Sequence, residues 1–431
     1  MSGLAPGWVE ATLGELGVEA QSGFPSGKHN ATGRGVPHLR PMNVDRLGRI
    51  DLGEIKYVED DRDRRLRAGD VLFNNTNSPA LIGKTAYFDK AGDFAFSNHM
   101  TRLRAPDVVE GKYLAAYLHT LWMHGVFRRL CNHHVNQASV SSKRLLGELV
   151  LALPPLNEQR RIVAAIEEHL SRLDAGEAAL ETGLRRLEVF GEAADSELYR
   201  GWDAKPLGSI CPVFVDCPHR TPSYGAEGIP ALRPRDVVRG RLRLDTAARV
   251  DRSEFEIQTV RRVPTEGDVV YSRELSFGWA VVVPPGAELC LSQGMVIFRP
   301  DDSMLPEFLA SVLNSAVGRG QAKAAATGSA HPHINLRDIR EYDIPVPPLS
   351  EQRRIVAEVE ERLSKIDAMR ASIERAQRRS QTLRSAILKR AFRGELVPQD
   401  PADEPAEALV AHIRAERDTA APGLGQRRVR A

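Results

Sequence analysis

Covalent catalysis needs paired carboxylates, a nucleophile beside a base, or metal ligands at fixed spacing. The 431-residue chain holds only fragments of these. Leu153-Pro154-Pro155-Leu156 and Val346-Pro347-Pro348-Leu349 carry Pro-Pro pairs. An amino-methyltransferase loop would need a polar residue before such a pair to hold the target amine, and an aromatic after it to stack on the base; both are missing. Pro106-Asp107 with Glu110-Gly111-Lys112 has the letters of a metal-dependent nuclease core. Its carboxylates are too close in sequence to come from two strands around a metal. Cys131-Asn132-His133-His134 and His331-Pro332-His333 lack the second ligand pair that a zinc site requires. Gly27-Lys28 and Gly33-Arg34-Gly35 lack phosphate-loop spacing. No catalytic residue, metal or cofactor is expected in this chain.

The chemistry that remains is recognition. The first half carries Lys28, Asn30, Asn74, Asn75, Asn77, Asn98, His99, His133, Asn136 and Gln137. The second carries His219, Arg220, Arg235, Arg273, Gln293, Lys323, His331, His333 and Asn335. Asn, Gln and Arg read base edges bidentately, and Lys and Arg hold phosphates. Singly, each would pass for a solvated loop residue. Together they form a surface suited to nucleic acid, and they are the candidate DNA-binding set.

The elements that must position them come in two copies. LPPLNEQRRIVAAIEEHLSRLDAGEAALE at 153–181 returns as VPPLSEQRRIVAEVEERLSKIDAMRASIE at 346–374. Weaker echoes keep nearly the same offset: Gly7-Trp8 and Gly201-Trp202, GVPHLRPMNV and GIPALRPRDV, GDVLF and GDVVY. A repeat decides the architecture. Each copy begins with a variable stretch of short strands, Asp70–Phe73 in the first and Val269–Tyr271, Ala280–Val283 and Val296–Phe298 in the second, between Gly, Pro and Asn turns. One helical patch interrupts each stretch, Lys112–Leu130 and Glu307–Ala325.

After the Pro-Pro pairs, Asn157 and Ser350 are expected as N-caps of two long helices. The first shows a narrow apolar stripe through Val163, Ile166, Leu170, Leu173, Leu180, Leu184, Leu187 and Leu198, interrupted by Glu177 and Gly191. The second runs Val356, Val359, Leu363, Ile366 and Ile373, blurs at Gln377 and Ser380, and resumes near Leu383 and Ile387. Such a stripe is a coiled-coil seam. Residues 157–198 hold ten acidic and five basic residues, whereas 350–393 hold six and twelve, so the helices suit each other better than copies of themselves. The expected fold class is α+β: two β-rich domains separated by two long helices pairing as an antiparallel coiled coil, in a pseudo-two-fold internal repeat. The expected boundaries are 1–153, 154–200, 201–346, 347–394 and a C-terminal extension, 395–431.

Composition fits folded domains, with 42% hydrophobic and 27% charged residues, and a net charge of +2 that names no partner by itself. Four scattered cysteines make no disulfide framework, and neither a signal peptide nor a membrane-length apolar run is present, so a cytoplasmic location is expected.

PPLNEQRRIV, PPLSEQRRIV and LRSAILKRAFRGELVPQDPADEPAEALVAHIRAER resemble the specificity subunits of type I restriction-modification systems, along essentially the whole chain. GDVLFNNTNSPALIGKTAYF, GDVVYSRELSFGWAVVV and Ser292-Gln293-Gly294-Met295 are similar to segments of that family's target recognition domains. The resemblance implies a non-catalytic reader of double-stranded DNA whose two target recognition domains each read half of a bipartite site. It implies two methyltransferase subunits and restriction subunits as partners, with S-adenosylmethionine, ATP and magnesium bound by those partners. A coiled-coil scaffold that binds only protein partners is the alternative.

Overall fold

The computed structural model describes residues 4–59, 62–134, 137–238, 240–328 and 331–420. The chain divides into two compact units, Met1–Ala178 with Ala376–Ala431, and Ala179–Arg375. The division cuts across both long helices, so each unit holds one β-rich domain and a part of each helix. Among the described residues no helix is long and apolar enough to cross a membrane.

The main sheets of the two domains repeat in the same strand order. In the first unit a four-stranded antiparallel sheet runs, in spatial order, Glu19–Ser22, Met100–Arg104, Val71–Asn74 and Thr85–Tyr87. In the second the same order is Val213–Asp216, Met295–Arg299, Val269–Ser272 and Ala280–Val282. A three-stranded sheet follows suit: Val36–Leu39 lies between Lys56–Val58 and a parallel Ala95–Phe96, and Ile229–Leu232 lies between Ala248–Val250 and a parallel Cys290–Leu291. Val71, Leu72 and Phe73, like Val269, Val270 and Tyr271, are buried on both faces, so these strands read as continuous apolar runs rather than alternating ones. The helical patches are each two helices, Gly111–Met123 with Val126–Leu130 and Pro306–Asn314 with Ala316–Ala325.

The shared Gly-Asp before the central strand is structural. Asp70 accepts the Arg67 backbone N–H at 2.8 Å and Arg104 through two bonds of 2.8 and 3.0 Å. Asp268 accepts the Thr265 N–H at 2.9 Å, Arg262 at 2.8 Å and Arg299 at 2.6 Å. Burial pushes the Asp268 pKa up, but the bonds from Arg262, Thr265 and Arg299 outweigh it and hold the carboxyl below its ordinary value.

The long helices span Leu156–Leu198 and Leu349–Ala391. Asn157 and Ser350 are therefore inside the first turn and are not the caps. The helices begin one step earlier because the Pro155 and Pro348 carbonyls accept the first helical bonds, from the N–H groups of Gln159 at 2.9 Å and Gln352 at 3.0 Å. Both glutamines are 0% exposed. Gln159 accepts the Glu110 N–H at 2.8 Å and donates to the carbonyls of Pro154 at 2.9 Å and Val108 at 3.2 Å. Gln352 repeats this with the Leu305 N–H at 2.8 Å and the carbonyls of Ser303 and Pro347 at 2.7 and 2.8 Å.

In the first unit the helices pack antiparallel. Val163 and Ile166 share a core with Leu388 and Ala391, Asp174 accepts Arg384 at 2.5 Å, and Glu177 accepts the Ser380 hydroxyl at 2.5 Å. In the second unit Leu180, Gly183 and Leu187 line one recess with Ile373. The interruptions in the two stripes thus answer each other, Glu177 with Ser380 and Arg384. This shifts the later seam off Leu383, which is exposed, onto Arg384 and Leu388; Leu363 also faces outward. The C-terminal extension folds onto the first unit, where Ala406, Val410 and Ile413 join its core and Asp403 pairs with Arg161 at 2.6 Å.

Gln352→Leu leaves a buried N–H and two carbonyls unpaired, at about 1–3 kcal/mol each, so thermal melting should show a loss of at least ~3 kcal/mol. For Asp268, a folded-state pKa below the unfolded value means stabilisation that is complete above the unfolded carboxylate range and lost as pH falls through the folded pKa. Asp268→Asn should therefore destabilise at pH 7, and its deficit relative to wild type should shrink below about pH 4 in denaturant titrations.

Candidate nucleic-acid interface

Each central strand runs out into a cluster of loops drawn from distant parts of its domain. In the first, Asn75 and Thr76 donate backbone N–H groups to the His99 carbonyl at 3.1 and 3.3 Å. Thr76–Asn77 pairs with Gln137–Ser139, which pairs with Asn132–His134. Asn98 donates its backbone N–H to the Phe24 carbonyl at 3.2 Å, which brings in the start of the loop that carries Lys28 and Asn30. In the second unit Arg273 donates its N–H to Gly294 at 2.8 Å, Ile334 donates to Arg273 at 2.9 Å, and Leu275 donates to Pro332 at 2.9 Å. Bridges Glu274 to His333 and Thr327 to His333 complete that cluster.

Within these clusters the expected residues separate by what their side chains do. Asn30 closes its own loop, donating to the carbonyls of Arg34 at 2.9 Å and Tyr57 at 3.2 Å while its oxygen accepts from Thr32 and Arg34. Asn74 is buried and donates to Pro41 at 3.2 Å. Asn75 donates to Thr101 at 2.9 Å and to the Asn98 carbonyl, and Asn77 caps the Ser78 N–H at 2.8 Å. Arg220 forks onto Glu254 at 2.7 and 3.1 Å. There burial raises the Glu254 pKa, but the bonds from Gln258 and Arg220 hold it below the ordinary range. Arg273 is buried between Asp216 and Glu274, at 3.4 and 3.3 Å.

Other candidates present themselves outward. Lys28, Asn98, His133, Gln137, Arg235, Gln293, Lys323 and His331 are exposed, and His99 is half-buried. His219 is exposed but leans on Asp216 at 3.0 Å, His333 contacts Thr327 at 3.4 Å, and Asn335 bonds Asp338 at 3.2 Å. Asn136 lies outside the described residues. The clusters also contain residues absent from the expected set. Arg64 holds the carbonyls of Ser22 and Gly23 at 2.8 and 2.7 Å, and Arg62 lies 4.9 Å over the Phe24 ring. Their only trace in the sequence is the charge run from Arg62 to Arg67. Tyr224, whose hydroxyl donates to Ser292 at 3.3 Å, had no signal beyond its aromatic type.

Two divergent loop clusters, each borne by the same sheet and the same glutamine-anchored helix start, define a protein with two related domains in one chain that differ in their loops. The model of the type I restriction modification DNA specificity domain matches twice, over 7–186 and 200–381. The EcoBI specificity subunit of a type I restriction enzyme of Escherichia coli is 25% identical across 91% of this chain and 89% of its own length. The EcoKI subunit of Escherichia coli strain K12 is 23% identical across 89% of each. Of solved structures, a chain from work on complex assembly and conformational transition of the type I system aligns with a TM-score of 0.69 at 22% identity, covering 92% of this chain and 100% of that one. The HsdS subunit from Thermoanaerobacter tengcongensis gives 0.52 at 22% identity, covering 91% and 98%. The chain belongs to the type I restriction-modification DNA specificity family.

The outward and inward sets should separate in experiment. Arg235→Ala and Lys323→Ala should leave stability within ~0.5 kcal/mol of wild type. Wherever the side chain pairs with a phosphate, its removal should flatten the salt dependence of duplex binding by about one unit of slope. Asn75→Ala should instead lower stability by about 1–3 kcal/mol before it alters any slope.

Proposed function

We propose that the chain reads two short, different DNA half-sites separated by unread base pairs, one with each loop cluster, and presents its repeated helices as docking surfaces for two methyltransferase subunits and for restriction subunits. In this reading the chain is not an enzyme. Methyl transfer, ATP use and cleavage belong to the partners, which bind S-adenosylmethionine, ATP and magnesium.

One observation carries it. The two copies share the tether that holds each domain, or head, to its helix, Gln159 with Gln352, with the same set of bonds in each, and both keep a buried carboxylate before the central strand, Asp70 and Asp268. They differ at the surface of the loop clusters: half-buried Asn77 stands against exposed Leu275, and exposed Asn98 against exposed Gln293. Two equal docking duties toward one kind of protein partner would not call for different exposed side chains at these matching places. Two heads reading different base sequences require them.

The test is a chimera in which residues 201–345 are replaced by the matching domain of another specificity subunit, expressed with the methyltransferase partner. Methylation mapping should show one half-site changed and the other kept. A change in both, or a wild-type site that is one continuous word, would refute the two-head reading. The chain without its partner should transfer no labelled methyl group to duplex DNA.

A further inference from the structure

Among the described residues Leu275 is the one non-glycine residue with positive φ, at 56°. That region of backbone space suits glycine and asparagine and strains a side chain with a bulky γ-carbon. The strain is locked in by its surroundings. Leu275 N–H bonds Pro332 at 2.9 Å, Glu274 bridges His333, and Gly278 N–H and Ser272 Oγ close the turn at 2.7 and 2.8 Å. The fold does not ask for leucine here. At the same place after the matching strand of the first unit Asn77 lies in a strand, paired with Ala138, so the shared fold imposes neither leucine nor the left-handed turn. Burial does not ask for it either, because Leu275 is 59% exposed. Exposed apolar side chains are common in this chain, but this one is also strained, and the strain points to a contact that the free chain lacks.

The surroundings indicate what is contacted. Exposed Gln293 and His331 belong to the same loop cluster, and the Pro234–Asp236 turn that presents exposed Arg235 packs against Gly294. A single apolar side chain amid hydrogen-bonding and cationic groups does not match an apolar protein patch. It matches the major groove, where the one apolar projection among the base edges is the thymine 5-methyl group. We propose that Leu275 is a specificity-determining residue of the second head, packing against a thymine methyl of that head's half-site. The inference rests on the DNA-reading function proposed above.

The experiment uses the full chain with its methyltransferase partner and duplexes carrying the mapped site. Each thymine of the second half-site is replaced in turn by deoxyuridine, which lacks only the methyl. Wild type should lose about fourfold in affinity at one thymine, the worth of one buried methyl. Leu275→Gly and Leu275→Asn should melt no lower than wild type, bind the unmodified site about fourfold more weakly, and show no response to deoxyuridine at that position. If no thymine responds in wild type, if the response survives in Leu275→Gly, or if the variants lose affinity equally for unrelated duplex, the methyl assignment is wrong. If Leu275→Gly abolishes a bend in the bound duplex with no thymine singled out, Leu275 is an intercalating wedge and the proposal fails. Wild type that does not prefer its mapped site to a scrambled duplex would sink the DNA-reading function itself.

Discussion

The molecule depends on a buried amide. Gln159 and Gln352 each sit without solvent exposure at the root of a long helix, with the side-chain oxygen on one backbone N–H of the domain and the nitrogen on two carbonyls. A primary amide is the side chain that donates twice and accepts from one planar group, so glutamate or leucine would leave at least one of these backbone groups unpaired in a dry site. The Pro-Pro pair completes the arrangement. One of its carbonyls starts the helix while the other takes the glutamine. The helix axis is thereby tied to the strand that leaves the domain, and a head that rotated on its helix would have to break all three bonds together.

That tether explains why so much of the architecture could be read from the residues alone. The repeat was visible because its constrained parts, Pro-Pro, Glu-Gln-Arg-Arg and Gly-Asp-Val, are places where one side chain satisfies several backbone groups at once and few substitutes exist. The strand runs Val71–Phe73 and Val269–Tyr271 were visible because they are buried on both faces. What composition could not reveal was which polar residues were already occupied. Asn30, Asn75 and Arg220 have the same types as Asn98 and Arg235, yet the first three are satisfied by carbonyls, a hydroxyl or a carboxylate brought close only by folding. The helix seam misled for a related reason. A stripe counted from apolar residues passes through Leu383, whereas the folded seam admits Arg384 because Asp174 and Glu177 lie opposite it.

The two copies are not equal, and the inequality has a cause in chain connectivity. Tyr199, at the end of the first long helix, stacks on Phe308 and continues directly into the second domain through Gly201. Phe392, at the matching end of the second helix, stacks on Tyr113 and Tyr117 of the first domain, but no covalent link follows it there. Gly394 instead comes against Ala5 and Trp8, and the C-terminal extension supplies noncovalently what the chain supplies covalently in the other unit. Its Asp403 on Arg161, its Ala406 N–H on the Gly7 carbonyl and its apolar Val410 and Ile413 all act on the first unit alone.

The atoms that hold the loops together are thus different from those that face solvent. Backbone amides of Asn75, Arg273 and Leu275 hold the clusters together through the carbonyls of His99, Gly294 and Pro332, which any residue type at those positions would offer. Side chains such as Asn98, Gln137, Gln293 and His331 point outward and carry little of that load. A head built this way can change its outward side chains without disturbing its sheet, its Gly-Asp turn or its glutamine tether. The same separation makes Leu275 informative. In a cluster whose backbone would accept glycine or asparagine at that place, a strained and exposed leucine belongs to no core cluster of the fold, and that is the ground on which its contact with DNA is proposed.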